Sequence, residues 1–266
     1  MAMKYFKRNI YKEIRVMSLP TSNLLLKINK VKFLGFFGWI IAGIQTFRQS
    51  PLKYLLISAI FMLIFLMVFI ISSQFQGEFV FSLIITSILS LMFPLGLASL
   101  CIASREYQQN QVIHIKRVFA DLFAGPSIRL TIVYVLILLL ISIASSYILL
   151  KMPTMQVAFS YLLEVAYVLL QMIILVAIPM NILVDDRMPP FQVLGISTKA
   201  LLTNFVPCLI FIFCVFAILI VAIILAKAFS LLVGAAAIFI YLVELWLFII
   251  WLSLSSVAMV KSIFVI

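Results

Sequence analysis

Several stretches of about 20 consecutive apolar residues, separated by short polar loops, constrain this chain more than any other feature. A helix rising about 1.5 Å per residue needs that length to cross a hydrocarbon layer about 30 Å thick. Six such stretches are read: Pro51–Ser73, Phe79–Ser104, Ser127–Leu150, Gln156–Val184, Val206–Ala226 and Ser230–Met259. The apolar region from Phe205 to Val260 is too long for one crossing, so a tight turn is expected near Lys227. With 66% hydrophobic and 10% charged residues, the chain cannot coat a soluble core of 266 residues in polar groups.

The formal net charge of +11 does not mark a nucleic-acid binder, because the cations lie in an amino-terminal arm and in loops between spans. If the loops alternate across six spans, every Lys and Arg except Lys151 and Lys227 falls on one side. That side is expected to be cytoplasmic and to hold both termini, with the basic residues meeting anionic headgroups of the lipid bilayer. Residues 1–33 read as a basic cytoplasmic arm and residues 34–266 as a single membrane domain. In Met1–Lys32 the longest apolar run is Leu24-Leu25-Leu26, too short for a signal-peptide core, so the first span is expected to drive insertion.

The membrane domain contains a repeat. An amphipathic stretch precedes each odd span: GWIIAGIQTFRQSP, HIKRVFADLFAGP and FQVLGISTKALLTNFVP. Their apolar positions recur at helical spacing: Ile40, Ile44 and Phe47; then Ile115, Phe119, Leu122 and Phe123; then Phe191, Leu194, Leu201, Leu202 and Phe205. Each is too short or too polar to cross and reads as a helix lying in the cytoplasmic interface. Pro51, Pro126 and Pro207 then open the next span, where a missing N–H costs least. Late in the second and fourth spans come FPLGLAS and IPMNILV, and the sixth has WLSLSSV in the matching place. The pseudo-repeats are about 36–104, 105–184 and 189–260. The expected fold is an all-α integral membrane protein, with six transmembrane helices in three hairpins and an interfacial amphipathic helix before each.

Few residues carry chemistry. Glu164 and Glu244 fall within the hydrocarbon, where a charged side chain costs about 2.5–3.5 kcal/mol on insertion scales. Each is expected to face the bundle interior as a neutral acid or in a polar cavity. Helical spacing groups Ser160, Glu164, Tyr167 and Gln171 on one face, and Tyr241, Glu244 and Ser255 on another. Glu164, Gln171 and Glu244 are therefore the candidate intramembrane polar site. The competing reading is structural, an acid hydrogen-bonded to a neighbouring helix. Asp185-Asp186-Arg187 reads as a loop capping the third amphipathic helix, because no second carboxylate cluster exists to share a divalent cation. Pro94 and Pro179 read as kinks, with discontinuous ion-binding helices as the alternative. Cys101, Cys208 and Cys214 have no paired spacing, and His114 is the sole histidine, so neither a metal nor a cofactor is expected.

GWIIAGIQTFRQSPLKYLL, FPLGLASLCIASREYQQNQVIHIKRVFADLF and IPMNILVDDRMPPFQVLGISTKALLTNFVP resemble a superfamily of uncharacterised bacterial inner-membrane proteins. It includes YciC-like proteins and the membrane domain fused to some glycerophosphodiester phosphodiesterases. The likeness spans about residues 36–260. It implies a six-span inner-membrane protein and no transferable site residue. With no reaction motif present, the expected function is a non-enzymatic membrane module acting through a protein partner, a homo-oligomer or bilayer organisation. The alternative is a small transporter or channel for a lipid or small solute, using Glu164 and Glu244.

Overall fold

The computed structural model describes residues 27–74, 79–151, 156–184, 188–233 and 237–264. Nine helices are present among them: α1 Gly35–Gln49, α2 Pro51–Gln74, α3 Phe79–Asn110, α4 Ile115–Ala124, α5 Pro126–Lys151, α6 Gln156–Leu183, α7 Pro190–Thr203, α8 Phe205–Val233 and α9 Ala237–Ile263. Four contain windows long and apolar enough to cross a membrane: Pro51–Val68, Tyr161–Leu183, Phe205–Leu225 and Val243–Ile263. A fifth is possible if α4 and the following Ser127–Ile141, bent by 57°, count as one span.

Helix boundaries follow local chemistry. Pro51 and Pro126 are the first residues of α2 and α5, and Pro207 lies in the first turn of α8. Between α3 and α4, Gln111 adopts the left-handed conformation at φ 60°, and its N–H bonds to the Tyr107 carbonyl at 2.8 Å. The expected turn at Lys227 is not there, because α8 continues through it to Val233. A lysine this near a helix end can extend its amine toward the interface without ending the helix. The helix α3 runs past Ser104 to Asn110, and both α3 and α6 pass through Pro94 and Pro179 without a break. The discontinuous-helix alternative is thereby corrected: a proline removes one backbone bond, and close packing on all sides keeps the rest of the helix in register.

The helices α3, α6 and α9 contact one another at the centre. Their carboxy-terminal halves are buried: Leu97, Ala98 and Leu100 on α3, Val176, Ala177 and Ile178 on α6, Leu254 and Val260 on α9. Around them, α2 packs on α3, α5 on α6 and α8 on α9. The pairing of α2 with α3 is antiparallel, since Tyr54 faces Ser104 and Phe61 lies over Gly96. The outer helices expose leucine and isoleucine, including Leu63, Ile70, Leu140, Ile220 and Ile224, as befits a lipid-facing surface.

Each short helix packs on the central helix of a different pair: α4 on α3, α7 on α6 and α1 on α9. It then leads directly into the next outer helix. The resulting joints differ. The pairs α3–α5 and α9–α2 are in contact, whereas α6 and α8 make no comparable contact among the described residues.

The expected apolar stripes hold in part: Ile40 and Phe47 of α1, Ile115, Phe119 and Leu122 of α4, and Leu194 and Leu201 of α7 pack against the core. In α1 the buried residues are Phe36, Trp39 and Gly43, while Ile41 and Ile44 are exposed. In α7 they are Val193, Ser197, Ala200 and Leu201, while Phe191 and Leu202 are exposed, as is Phe205 at the start of α8. Nor does α1 lie flat across the foot of α9. Trp39 Nε1 donates to Ser262 Oγ at 2.7 Å, Gly43 abuts Ser255, and on α2 Ser58 Oγ accepts from Trp246 Nε1 at 2.7 Å. The chain therefore climbs obliquely along α9 in the opposite direction. Small residues at 43 and 255 permit that approach, and they are not apolar enough to appear in a hydrophobic pattern.

The end of the expected arm is part of the fold. Asn29 N–H bonds to Ile263 O at 2.7 Å, and Ile28 pairs with Phe264 in an isolated β-bridge. Asn204, 1% exposed, accepts from Val31 N–H at 2.7 Å and donates to Asn29 O at 3.0 Å. One side chain thus closes the gap between α7 and α8 and fastens the segment entering α1.

Candidate functional site: polar groups among the spans

The three sequence candidates have different fates. Gln171, on α6, donates from Nε2 to the Tyr134 hydroxyl of α5 at 2.5 Å, and its buried Oε1 has no hydrogen-bond partner among the described residues. Glu244, on α9, has a buried Oε2 that likewise has none among the described residues. Glu164 lies in α6, but its side chain is outside the described residues, as are those of Ser160 and Tyr241. Two expected partners are placed elsewhere. Tyr167 is 48% exposed, and Ser255 is fully buried against Gly43, its Oγ without a hydrogen bond among the described residues. Sequence spacing had put Ser255 beside Glu244 because both share a helix face. Along that face, however, α1 occupies the lower part, so the two residues meet different neighbours.

Several other polar groups join helices. Besides Trp39 with Ser262 and Trp246 with Ser58, Trp251 Nε1 donates to Ile40 O at 3.3 Å, and Ser197 Oγ meets Met180 Sδ at 3.6 Å. Ser58, Thr131 and Ser253 bond back to carbonyls four residues earlier in their own helices. In an apolar medium, such bonds satisfy groups that would otherwise lie unpaired in hydrocarbon.

A second polar cluster lies at the α3–α4 joint. Arg105 donates to Ile182 O of α6 at 3.0 Å and pairs with Asp121 of α4 at 3.4 Å. Glu106, 5% exposed, accepts from His114 N–H at 3.1 Å and meets His114 Nδ1 at 2.9 Å. These contacts fix α4 against α3 and α6, and they engage the single histidine with a carboxylate. Nothing in the local sequence pointed to Glu106 or Asp121, since each partner is set by how α4 folds back.

Among the described residues, no group of three His, Cys, Asp or Glu could hold a metal ion. Asp185, Asp186 and Arg187 lie outside them. Cys101 and Cys208 are buried free thiols, and Cys214 is a partly buried one. The helices define a membrane protein. No family model, curated protein or solved structure matches the chain.

Proposed function

We propose that the chain is a six-span protein of the bacterial inner membrane, with both termini cytoplasmic, acting as a non-enzymatic membrane module through a partner or through bilayer organisation. The observation that carries this reading is the use of buried polar side chains as ties between helices rather than as a convergent reactive cluster. The span count rests on length. The helices α3 and α5 have 32 and 26 residues. At about 1.5 Å per residue each exceeds a hydrocarbon core about 30 Å thick. Counted with the four apolar windows, they make three hairpins, α2–α3, α5–α6 and α8–α9, each preceded by one of α1, α4 and α7. The repeat reading draws support from the way each short helix seats on the central helix of another pair.

Cysteine labelling from outside tests the topology. A thiol placed at Gln76 or Thr154 reacts and one at Gln109 does not; reaction at Gln109 overturns the orientation.

One observation favours the transporter alternative: the buried Glu244 Oε2 with no hydrogen-bond partner among the described residues. Gln keeps the size of Glu and much of its hydrogen bonding but removes the titratable proton. In proteoliposomes, a proton-coupled transporter bearing Glu244→Gln or Glu164→Gln folds normally and loses proton-dependent uptake. A module bearing either change keeps its partner binding and its stability. Loss of partner binding in a folded Glu244→Gln protein would count against the module.

A further inference from the structure

The helix α1 has three distinct faces. One packs on the third hairpin: Trp39 Nε1 reaches Ser262 Oγ of α9, the Trp39 ring meets Phe211 of α8 edge-on at 5.6 Å, and Gly43 abuts Ser255. At about 100° per residue, Leu34, Phe37, Ile41 and Ile44 fall within an arc of about 80° on roughly the opposite side. They are exposed by 63, 52, 52 and 42%, and Phe33 just before them by 59%. Of the stripe expected from the sequence, only Ile44 belongs to this face. Gly38, Ala42, Gln45 and Gln49 make the third face, which is small and polar. A helix divided in this way suits a place where protein, hydrocarbon and water meet, one face to each. The other short helices lack such a face. Their exposed large apolar residues are Phe123 on α4, and Phe191 and Leu202 on α7.

Charge and connectivity identify what meets the apolar face. Lys30 and Lys32 are exposed before α1, Arg48 and Lys53 are exposed at its far end, and none of the four has an ion pair among the described residues. From Lys27 to Lys53 the chain has no acid. A second copy joined through this face by a two-fold axis would set cations against cations, because they stand at both ends. The chain also runs from α1 through Ser50 straight into α2, where Leu52, Leu56, Ile60 and Leu63 are exposed on a helix long and apolar enough to span. A bilayer that meets these leucines lies at the end of α1. Its anionic leaflet supplies hydrocarbon for the stripe and negative charge for the flanking cations.

We propose that α1 is a lipid-docking helix: Phe33, Leu34, Phe37, Ile41 and Ile44 enter one leaflet, and Lys32 and Arg48 hold anionic phospholipid headgroups beside them. The proposal rests on the membrane-spanning reading of α2 and names the surface through which a module would act on the bilayer.

Fluorescence quenching in nanodiscs tests it. In a Cys214→Ala background, Ile41→Cys or Gly38→Cys carries a bimane label; both positions are exposed, and Cys101 and Cys208 are buried. The discs hold equal phosphatidylglycerol and phosphatidylcholine, with one or the other brominated. Brominated lipid quenches the label at residue 41, and iodide in the buffer quenches the label at residue 38. Brominated phosphatidylglycerol quenches at residue 41 more than brominated phosphatidylcholine does. Lys32→Gln with Arg48→Gln abolishes that preference, each cation contributing about fivefold to lipid affinity. Lys116→Gln on α4 leaves it unchanged. Ile44→Cys gives the same result as Ile41→Cys and replaces it should that variant fail to fold. Iodide quenching as strong at residue 41 as at residue 38 overturns the proposal. So does equal quenching by the two lipids, or a preference that survives Lys32→Gln with Arg48→Gln. A disulfide between unlabelled Ile41→Cys copies, with the label shielded from lipid, assigns the face to a second copy and also overturns it. Cysteine labelling that contradicts the topology, with the lipid preference intact, would refute the six-span reading alone.

Discussion

Replacing Gly43 with alanine tests the close approach of α1 to α9. A Cβ at residue 43 would lie 2.2 Å from Ser255 Oγ, 3.0 Å from Ser255 N and 3.2 Å from Ser255 Cα. The hydroxyl can rotate away, but the backbone atoms cannot. Non-bonded carbon atoms prefer about 3.5–4.0 Å, so α1 must withdraw from α9 by some tenths of an ångström. Overpacking of this kind costs about 1–3 kcal/mol. Alanine also gains about 1 kcal/mol of helix propensity over glycine, which partly masks the clash. Gly38 supplies the control: it lies in the same helix, and a Cβ there meets nothing within 4 Å. Comparing Gly43→Ala with Gly38→Ala cancels propensity to first order. The clash then appears as a difference of about 1–3 kcal/mol, or about 5–150-fold in the unfolding constant. Reversible unfolding in mixed micelles, followed by tryptophan fluorescence, measures it. Ser255→Ala in the Gly43→Ala background recovers part of the loss by removing the hydroxyl, while the backbone approach remains. A Gly43→Ala protein as stable as Gly38→Ala refutes the packing of α1 on α9.

Asn204→Ala removes the acceptor of Val31 N–H and the donor to Asn29 O, costing about 1–3 kcal/mol for the polar groups left unpaired. Limited proteolysis near residue 30 then speeds up, and unchanged cleavage would refute the tie. Gln111→Gly relieves a left-handed residue and raises stability by about 1 kcal/mol, read as a higher thermal midpoint. Arg105→Lys keeps the charge but loses the planar fork that reaches Ile182 O and Asp121 together, so stability falls by about 1 kcal/mol. A wild-type midpoint for that variant would show that the two contacts are not both needed. Gly125→Ala places a Cβ 2.3 Å from the Asp121 carbonyl oxygen and strains the bend from α4 into α5. It costs about 1–3 kcal/mol as overpacking, and a neutral effect on the thermal midpoint would place that bend elsewhere.

The sequence by itself determined the membrane character and most helix limits, because both depend on local quantities. A run of apolar residues has a length whatever surrounds it, and proline at Pro51 or Pro126 opens a helix through its own missing N–H. The charge pattern was likewise local. Periodicity served less well. In a span that is apolar all round, hydrophobicity no longer distinguishes the packed face from the lipid-facing one. The close approach of α1 to α9 was therefore set by a glycine and a serine more than 200 residues apart in sequence, while of the stripe Ile40 and Phe47 pack against the core and Ile44 is exposed. The polar candidates were legible as residue types but not as partners. Gln171 met Tyr134, Ser255 met Gly43, and Arg105 found a carbonyl 77 residues away. Only the tertiary structure makes such pairings, because shape and hydrogen-bond geometry select them once the bilayer has made nearly every helix surface equally apolar.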